Sequence, residues 1–257
     1  MTSPEVGFSV ARLDWDSRHW GRRVGRVEMD SSIDGVPLEE VASNRSFDFL
    51  YLLCPLDDVV CIHRAESAGF RFMEVRTLLT RHAGSARTPC HYDAAHGTEV
   101  RNPAPAEFVD AAADLAAHCH TNTRFANDPH LEPEAVRELY RLWIRRDRQR
   151  PSWHLAVLSG ADAALLGYIT FGIDANGDGD IGLIGVASGG RGTGAGGRLV
   201  DAALTSLESL GVTTTNVVTQ GGNTRAVRMY ERFGFSVQRQ DAWLHWHRSE
   251  GNGERPR

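Results

Sequence analysis

Between residues 185 and 200 the chain reads GVASGGRGTGAGGRLV, and seven of the thirteen residues from 185 to 197 are glycine. An apolar, strand-like run, DIGLIGV, precedes this segment. A helical stripe of Leu199, Ala203, Leu207 and Leu210 follows it. Glycine lacks the Cβ that would hold a bulky anion away from the backbone. The first turn of a helix leaves N–H groups without partners and carries partial positive charge. Strand, glycine turn and helix in that order form a phosphate cradle, and they tie the surrounding fold to the α/β class.

The details of the turn narrow the ligand. There is no Gly-Lys-Ser/Thr, so the segment is not a P-loop. Gly192, Gly194 and Gly197 can be forced into GxGxxG, but a dinucleotide site needs an acidic residue after the next strand, and TTTNVVTQ ends in Gln220. What fits is Arg-x-x-Gly-x-Gly, as Arg191, Gly194 and Gly196.

Upstream, FSVARL, RRVGRVEM, FLYLLC and FRFMEVRTLLT read as strands, and PLEEVASNR and LDDVVCIHRAESAG as helices. The nearly continuous apolar run 49–54 suits a strand covered on both faces. Residues 83–105, with three prolines and no period, mark a boundary, giving domains 1–95 and 96–257. Beyond it, Phe108, Ala112, Leu115 and Cys119 mark one helix face. A second helix starts at Pro133 and turns Val136, Leu139, Tyr140, Trp143 and Ile144 inward, with the polar residues of RxxxRRDRQR solvated. WHLAVLS, LLGYITFGID and DIGLIGV, joined by short turns, form an antiparallel meander. TTTNVVT is a further strand. Asn223 caps a helix running through Met229, Tyr230 and Phe233, FSVQRQ and AWLHWH close as strands, and the tail from residue 249 is expected to fray.

Composition excludes several classes. With 41% apolar and 24% charged residues, the 257-residue chain is that of a globular protein. A net charge of −5 removes the basic field of a nucleic-acid binder. No apolar window is long enough for a membrane span, and the first residues lack a secretory pattern. Cys54, Cys61, Cys90 and Cys119 have no metal-ligand spacing and are expected to be reduced, mostly buried thiols of a cytoplasmic protein. The eleven histidines show no ligand pattern, so no metal site is expected. His245 and His247, alternating on a strand, are assigned to its surface, though they could line a cleft.

Two motifs in order carry a specific resemblance: the Arg191–Gly196 turn after IGLIGV, then Asn223, Ala226 and Tyr230-Glu231-Arg232-Phe233-Gly234-Phe235. Over residues 105–248 the chain resembles the GCN5-related N-acetyltransferase (GNAT) superfamily. LDWDSRHWGRRVGRV, AGFRFMEVRTLL and AWLHWH further resemble the two-domain dTDP-fucosamine acetyltransferases. The resemblance implies a mixed α/β GNAT fold whose N-terminal half is a degenerate GNAT-like unit without a coenzyme loop. It implies acetyl-CoA as cosubstrate, held by Ile184, Gly185, Val186, Arg191, Gly192, Thr193, Gly194, Ala195, Gly196 and Gly197, with Asn223 and Ala226 beside the pantetheine arm.

The chemistry would be acetyl transfer to the primary amine of a small metabolite, with a nucleotide-linked aminosugar leading. A backbone N–H near Val186 would meet the developing oxyanion. Tyr230 would return a proton to the thiolate, since tyrosine near 10 and thiols near 8.5 are close enough in pKa. Asp180 or Asp178 would serve as base, although both lie in a turn where Asp is common. In the loop HTNTRFANDPH, Asn122, Arg124, Asn127 and Asp128 are candidate acceptor contacts, with Trp15 and Trp20 as walls. No nucleic-acid, membrane or metal partner is expected; a homodimer is left open. The rival readings are an amino-acid or natural-product acyltransferase using another thioester, and a non-catalytic acyl-CoA-binding regulatory module.

Overall fold

The structure is a computed structural model, described for residues 7–30, 37–43, 45–87 and 98–248. Cys90, residues 88–97 of the expected boundary segment and the tail from residue 249 lie outside the described residues. The fold is mixed α/β. It divides into two compact units, but not by a single cut near residue 95. The first comprises residues 1–76, 127–131 and 240–257, and the second 77–126 and 132–239.

The first unit contains β1 (Gly7–Arg12), α1 (Asp14–Trp20), β2 (Val24–Asp30), α2 (Leu38–Ser43), β3 (Phe49–Pro55) and α3 (Val59–Ser67). β1 pairs antiparallel with β2, and β2 parallel with β3. The last strand among the described residues, β10 (Ser236–His247), pairs antiparallel with β3 from Asp241↔Pro55 to His247↔Phe49. This pairing, distant in sequence, is why the unit draws on both ends of the chain. FSVQRQ and AWLHWH are thus one continuous strand. Phe49 to Leu52 are all buried, as the unbroken apolar run requires. α1 has no buried residue and therefore no apolar period to reveal it. Local bonds hold it: the Ser17 hydroxyl donates to the Leu13 carbonyl at 2.6 Å and accepts from Val24 N–H at 2.9 Å, and Gly21 closes the helix at φ +61°.

In the second unit, β4 (Arg71–His82), which starts in the first, is followed by β5 (Glu99–Arg101), α4 (Val109–Cys119), α5 (Pro133–Gln149), β6 (Trp153–Ser159), β7 (Leu165–Ile173) and β8 (Gly179–Val186). Then come α6 (Ala195–Ser209), β9 (Thr214–Gln220) and α7 (Thr224–Arg232), and the strand order is β4-β9-β8-β7-β6-β5. β6, β7 and β8 form the expected antiparallel meander. α6 carries the chain from β8 to the parallel β9, burying Leu199, Val200, Ala203, Leu204 and Leu207. Leu210 is not part of this stripe. It is the C-cap, 57% exposed, because the helix ends one residue earlier and Gly211 turns the chain at φ +82°. In α4 the buried face is Ala112, Ala113, Ala116 and Ala117, with Leu115 and Cys119 only half-buried. Asp147, assigned from sequence to a solvated face of α5, is 2% exposed, because it lies one turn beyond Ile144 on the buried stripe.

Gly185 on β8 lies opposite Tyr168 on β7, and a Cβ there would sit 2.4 Å from the Tyr168 ring. Tyr168 is fully buried, so it has little room to move. Gly185→Ala is expected to destabilise the protein by about 1–3 kcal/mol, the usual cost of overpacking, seen as a lower urea midpoint at unchanged slope.

Candidate functional site

β8 is the centre of the site because it leaves its parallel neighbour. The β8–β9 pairing consists of Gly179↔Thr215, Asp180↔Asn216 and Ile181↔Val217, and no further pair is formed. Residues 184–186 stay paired to β7 on one side, from Ile169↔Ile184 to Gly167↔Val186, while the other edge stands open. An extra β8 residue is accommodated where the register with β7 shifts between Ile169 and Phe171. Leu183 N–H donates to the Thr170 hydroxyl at 2.9 Å, and that hydroxyl donates to Asp147 at 3.2 Å. Ile181 and, three positions later, Ile184 therefore pack against the same core cluster, which simple strand alternation would forbid.

Past Val186 the chain makes a short turn at 188–190 and reaches Gly192 and Gly194 at φ +83° and +84°, a conformation that glycine adopts without strain. Gly194 is the N-cap of α6, and the first intrahelical donor is Arg198 N–H, to the Gly194 carbonyl. The N–H groups of Ala195, Gly196 and Gly197 thus open the helix without intrahelical acceptors. Arg191 to Gly194 are exposed. Free amides, no Cβ at the two turning positions and a positive helix end fit a diphosphate.

α7 lies against this turn: a Cβ on Gly196 would come 3.1 Å from Met229 Sδ. Asn223 caps α7 by accepting from Ala226 N–H at 3.1 Å, as the sequence implies, and Ala226 is half-buried against the α6 core. Tyr230, the next residue after Met229, is 2% exposed with its ring edge-on to Phe235 at 5.5 Å. Burial pushes its phenol pKa up, so it is protonated at neutral pH.

Asp180 is half-buried and borders a cavity of about 290 Å³, together with Trp143, Asp147, Trp153, Asp174 and Gly182. Trp153 Nε1 is buried without a partner among the described residues. Asp178 instead belongs to the turn, its N–H donating to Asp174 at 3.0 Å. A second feature missed from sequence is His120, whose Nε2 lies 2.8 Å from the Tyr168 hydroxyl and whose ring stacks on Tyr140 at 4.6 Å. Burial lowers its pKa to about 4 and keeps it neutral. Next to it, the Cys119 thiol lies 3.7 Å from the Val186 carbonyl, its pKa raised by burial. Nothing periodic in the sequence marks either pair, since both join residues far apart in the chain.

The four acceptor candidates do not act as one group. Asn122 is exposed, and Arg124 lies over the Phe125 ring at 4.1 Å. Both belong to the second unit, whereas Asn127 and Asp128 belong to the first. Asn127 donates to the Met73 carbonyl at 3.2 Å. Asp128 is 2% exposed, and its carboxylate takes His245 Nδ1 and His247 Nε2, each at 2.7 Å, and the His130 N–H at 3.0 Å. Burial would raise its pKa, but the histidine hydrogen bonds outweigh that and hold it below the usual carboxylate range. Asp128 is therefore an internal anchor rather than an open substrate contact. His245, assigned to a strand surface, is fully buried, because Asp128 covers it. Trp15 stacks on His19 at 5.4 Å, and Trp20 donates to the Tyr51 hydroxyl at 2.9 Å.

Residues 109–235 match the Acetyltransferase (GNAT) family model. Over 199 residues the chain is 25% identical to the spore coat polysaccharide biosynthesis protein SpsD of Bacillus subtilis (strain 168), covering 77% of this chain and 66% of that one. Over 138 residues it is 30% identical to the dTDP-fucosamine acetyltransferase of Escherichia coli O6:H1 (strain CFT073), covering 53% and 58%. The matches thus span less than two thirds of either relative. A GCN5-related N-acetyltransferase from Sphaerobacter thermophilus superposes with a TM-score of 0.64 at 15% identity, covering 94% of this chain and 76% of that one. Among the described residues no helix is long and apolar enough to cross a membrane.

Two outcomes follow from this geometry. Thr193→Glu adds a carboxylate at an exposed position beside a helix N-terminus, where it suits the helix dipole but repels a bound diphosphate. Calorimetry is expected to show at least a ~10-fold loss of coenzyme A affinity with the melting temperature maintained. His120, depressed to about 4 against about 6.5 unfolded, is fully compatible with folding above pH 6.5 and opposes it as pH falls toward 4. Part of the residue reaches the surface, which discounts the effect to about 1–3 kcal/mol. Denaturant titrations of wild type and His120→Asn across that window are expected to converge at low pH.

Proposed function

We propose, from the premise that residues 109–235 form an acetyltransferase domain of the GNAT family, that the chain transfers acetyl from acetyl-CoA to a primary amine of a nucleotide-linked aminosugar. The observation that carries the transferase reading is the opening of β8 from β9 after Ile181, leading directly into the glycine turn at the start of α6. An open strand edge beside free helix amides suits a long thioester with a diphosphate at its far end. Bound there, acetyl-CoA supplies the activated acyl group.

The chain's own groups perform the rest. The turn from Arg191 to Gly197 holds the diphosphate, and the open edge of residues 184–186 positions the acyl arm, with an N–H near Val186 facing the developing oxyanion. Asp180, at the cavity beside Trp143 and Trp153, accepts the proton of the amine. Tyr230 holds a proton on its hydroxyl and gives it to the departing thiolate. Its buried phenol retains that proton until a strong base forms beside it. Asn223 and Ala226 flank the arm from α7. The first unit, which shows no strand–glycine turn–helix among its described residues, does not bind the coenzyme.

The acceptor class rests on the E. coli relative, named for dTDP-fucosamine. Mass spectrometry of the protein with acetyl-CoA and a panel of dTDP-aminosugars, free aminosugars and amino acids is expected to show acetylation of a sugar nucleotide. Turnover confined to free amines would remove the aminosugar and keep the acetyltransferase. In the same assay Tyr230→Phe is expected to lose about 100-fold or more in kcat, the scale of general acid catalysis. A normal rate would return Tyr230 to a packing role.

A further inference from the structure

In the first unit three donor atoms converge on one point. His245 and His247 are two apart on β10, so both rings project from the same strand face. They turn different nitrogens inward, Nδ1 of His245 and Nε2 of His247, and each meets Asp128 Oδ2 at 2.7 Å. All three donor atoms lie within 4.8 Å of one another. The rings are fixed by packing: His247 stacks on Phe49 at 4.1 Å, and His245 meets the same ring edge-on at 5.1 Å. The second Asp128 oxygen accepts the His130 backbone N–H, which orients the carboxylate. The side chains of His245 and Asp128 are completely buried, and His247 is 9% exposed.

We propose that Asp128, His245 and His247 form a binding site for one divalent transition-metal ion of the zinc type. Two imidazoles and one carboxylate are the donor set of such ions, bound about 2.0–2.2 Å from each nitrogen or oxygen. A small widening of the two short contacts admits the ion, which replaces the two N–H protons that otherwise hold the histidines to the carboxylate. Three protein ligands leave the fourth position to water. Exposed His130, its ring 4.6 Å from that of His247, borders the one histidine that reaches the surface. The ion ties the loop at 127–131 to β10 and so stabilises the unit that both complete.

The test uses the full-length protein stripped with a chelator and titrated with zinc chloride in a calorimeter. One ion per chain is expected, with a rise in melting temperature. Asp128→Asn and His247→Gln are expected to weaken binding by more than the roughly 10–100-fold that losing an outer-shell partner costs. His63→Gln, on the exposed face of α3, is expected to leave it unchanged. Cobalt(II) loaded into the wild-type protein provides a readout independent of how the variants fold: visible bands of a nitrogen–oxygen site, without the near-ultraviolet charge-transfer band of a thiolate. No binding to folded wild type would reduce the three residues to a hydrogen-bonded triad. A thiolate band, or equal affinity in folded Asp128→Asn, would place the ion elsewhere and overturn the proposal.

Discussion

The shape of the second unit turns on one buried hydroxyl. Thr170, fully inaccessible, accepts the Leu183 N–H and donates to Asp147. An extra residue in a strand leaves backbone groups unmatched, and an unmatched buried N–H costs about as much as a lost hydrogen bond. Thr170 removes that cost at the point where β8 slips against β7. Beyond the slip, Ile184 and Val186 return to the α6 core while Gly185 approaches Tyr168. The open edge, the glycine turn and the first turn of α6 all take their positions from this shift.

Burial then divides the labour among the titratable groups. Tyr230 and Tyr168 are both enclosed, and desolvation raises both phenols, but only Tyr230 sits on the helix that touches the glycine turn. Tyr168 is committed to His120, which burial keeps neutral. Asp180 is half-buried beside a cavity, which suits the proton acceptor proposed for it, and Asp147 is bound by Thr170 and Arg146. The two tyrosines thus share their enclosure and differ in their neighbours.

The first unit follows a different logic. Its sheet is completed by β10, and its polar interior is built around a carboxylate that carries three hydrogen bonds. A buried charge needs such partners, since its transfer from water is otherwise very unfavourable. Around Asp128 the aromatic rings of Phe49 and Tyr51 leave the histidines few alternative rotamers.

By itself the sequence determined the elements with a strong local signal. The apolar run 49–54, the stripe of α5, the meander, the Arg191–Gly196 turn and the Asn223 cap are all legible, because period, capping and glycine spacing act within a few residues. α1 was hidden because it buries nothing, and Leu210 misled because a stripe does not say where a helix stops. Only tertiary structure decided that Asp128 faces two histidines more than a hundred residues away, that Asp147 is buried, and that residues 240–247 complete the first unit rather than the second. Such pairings depend on which strands meet and in what register, and no local pattern encodes a partner that distant in the chain.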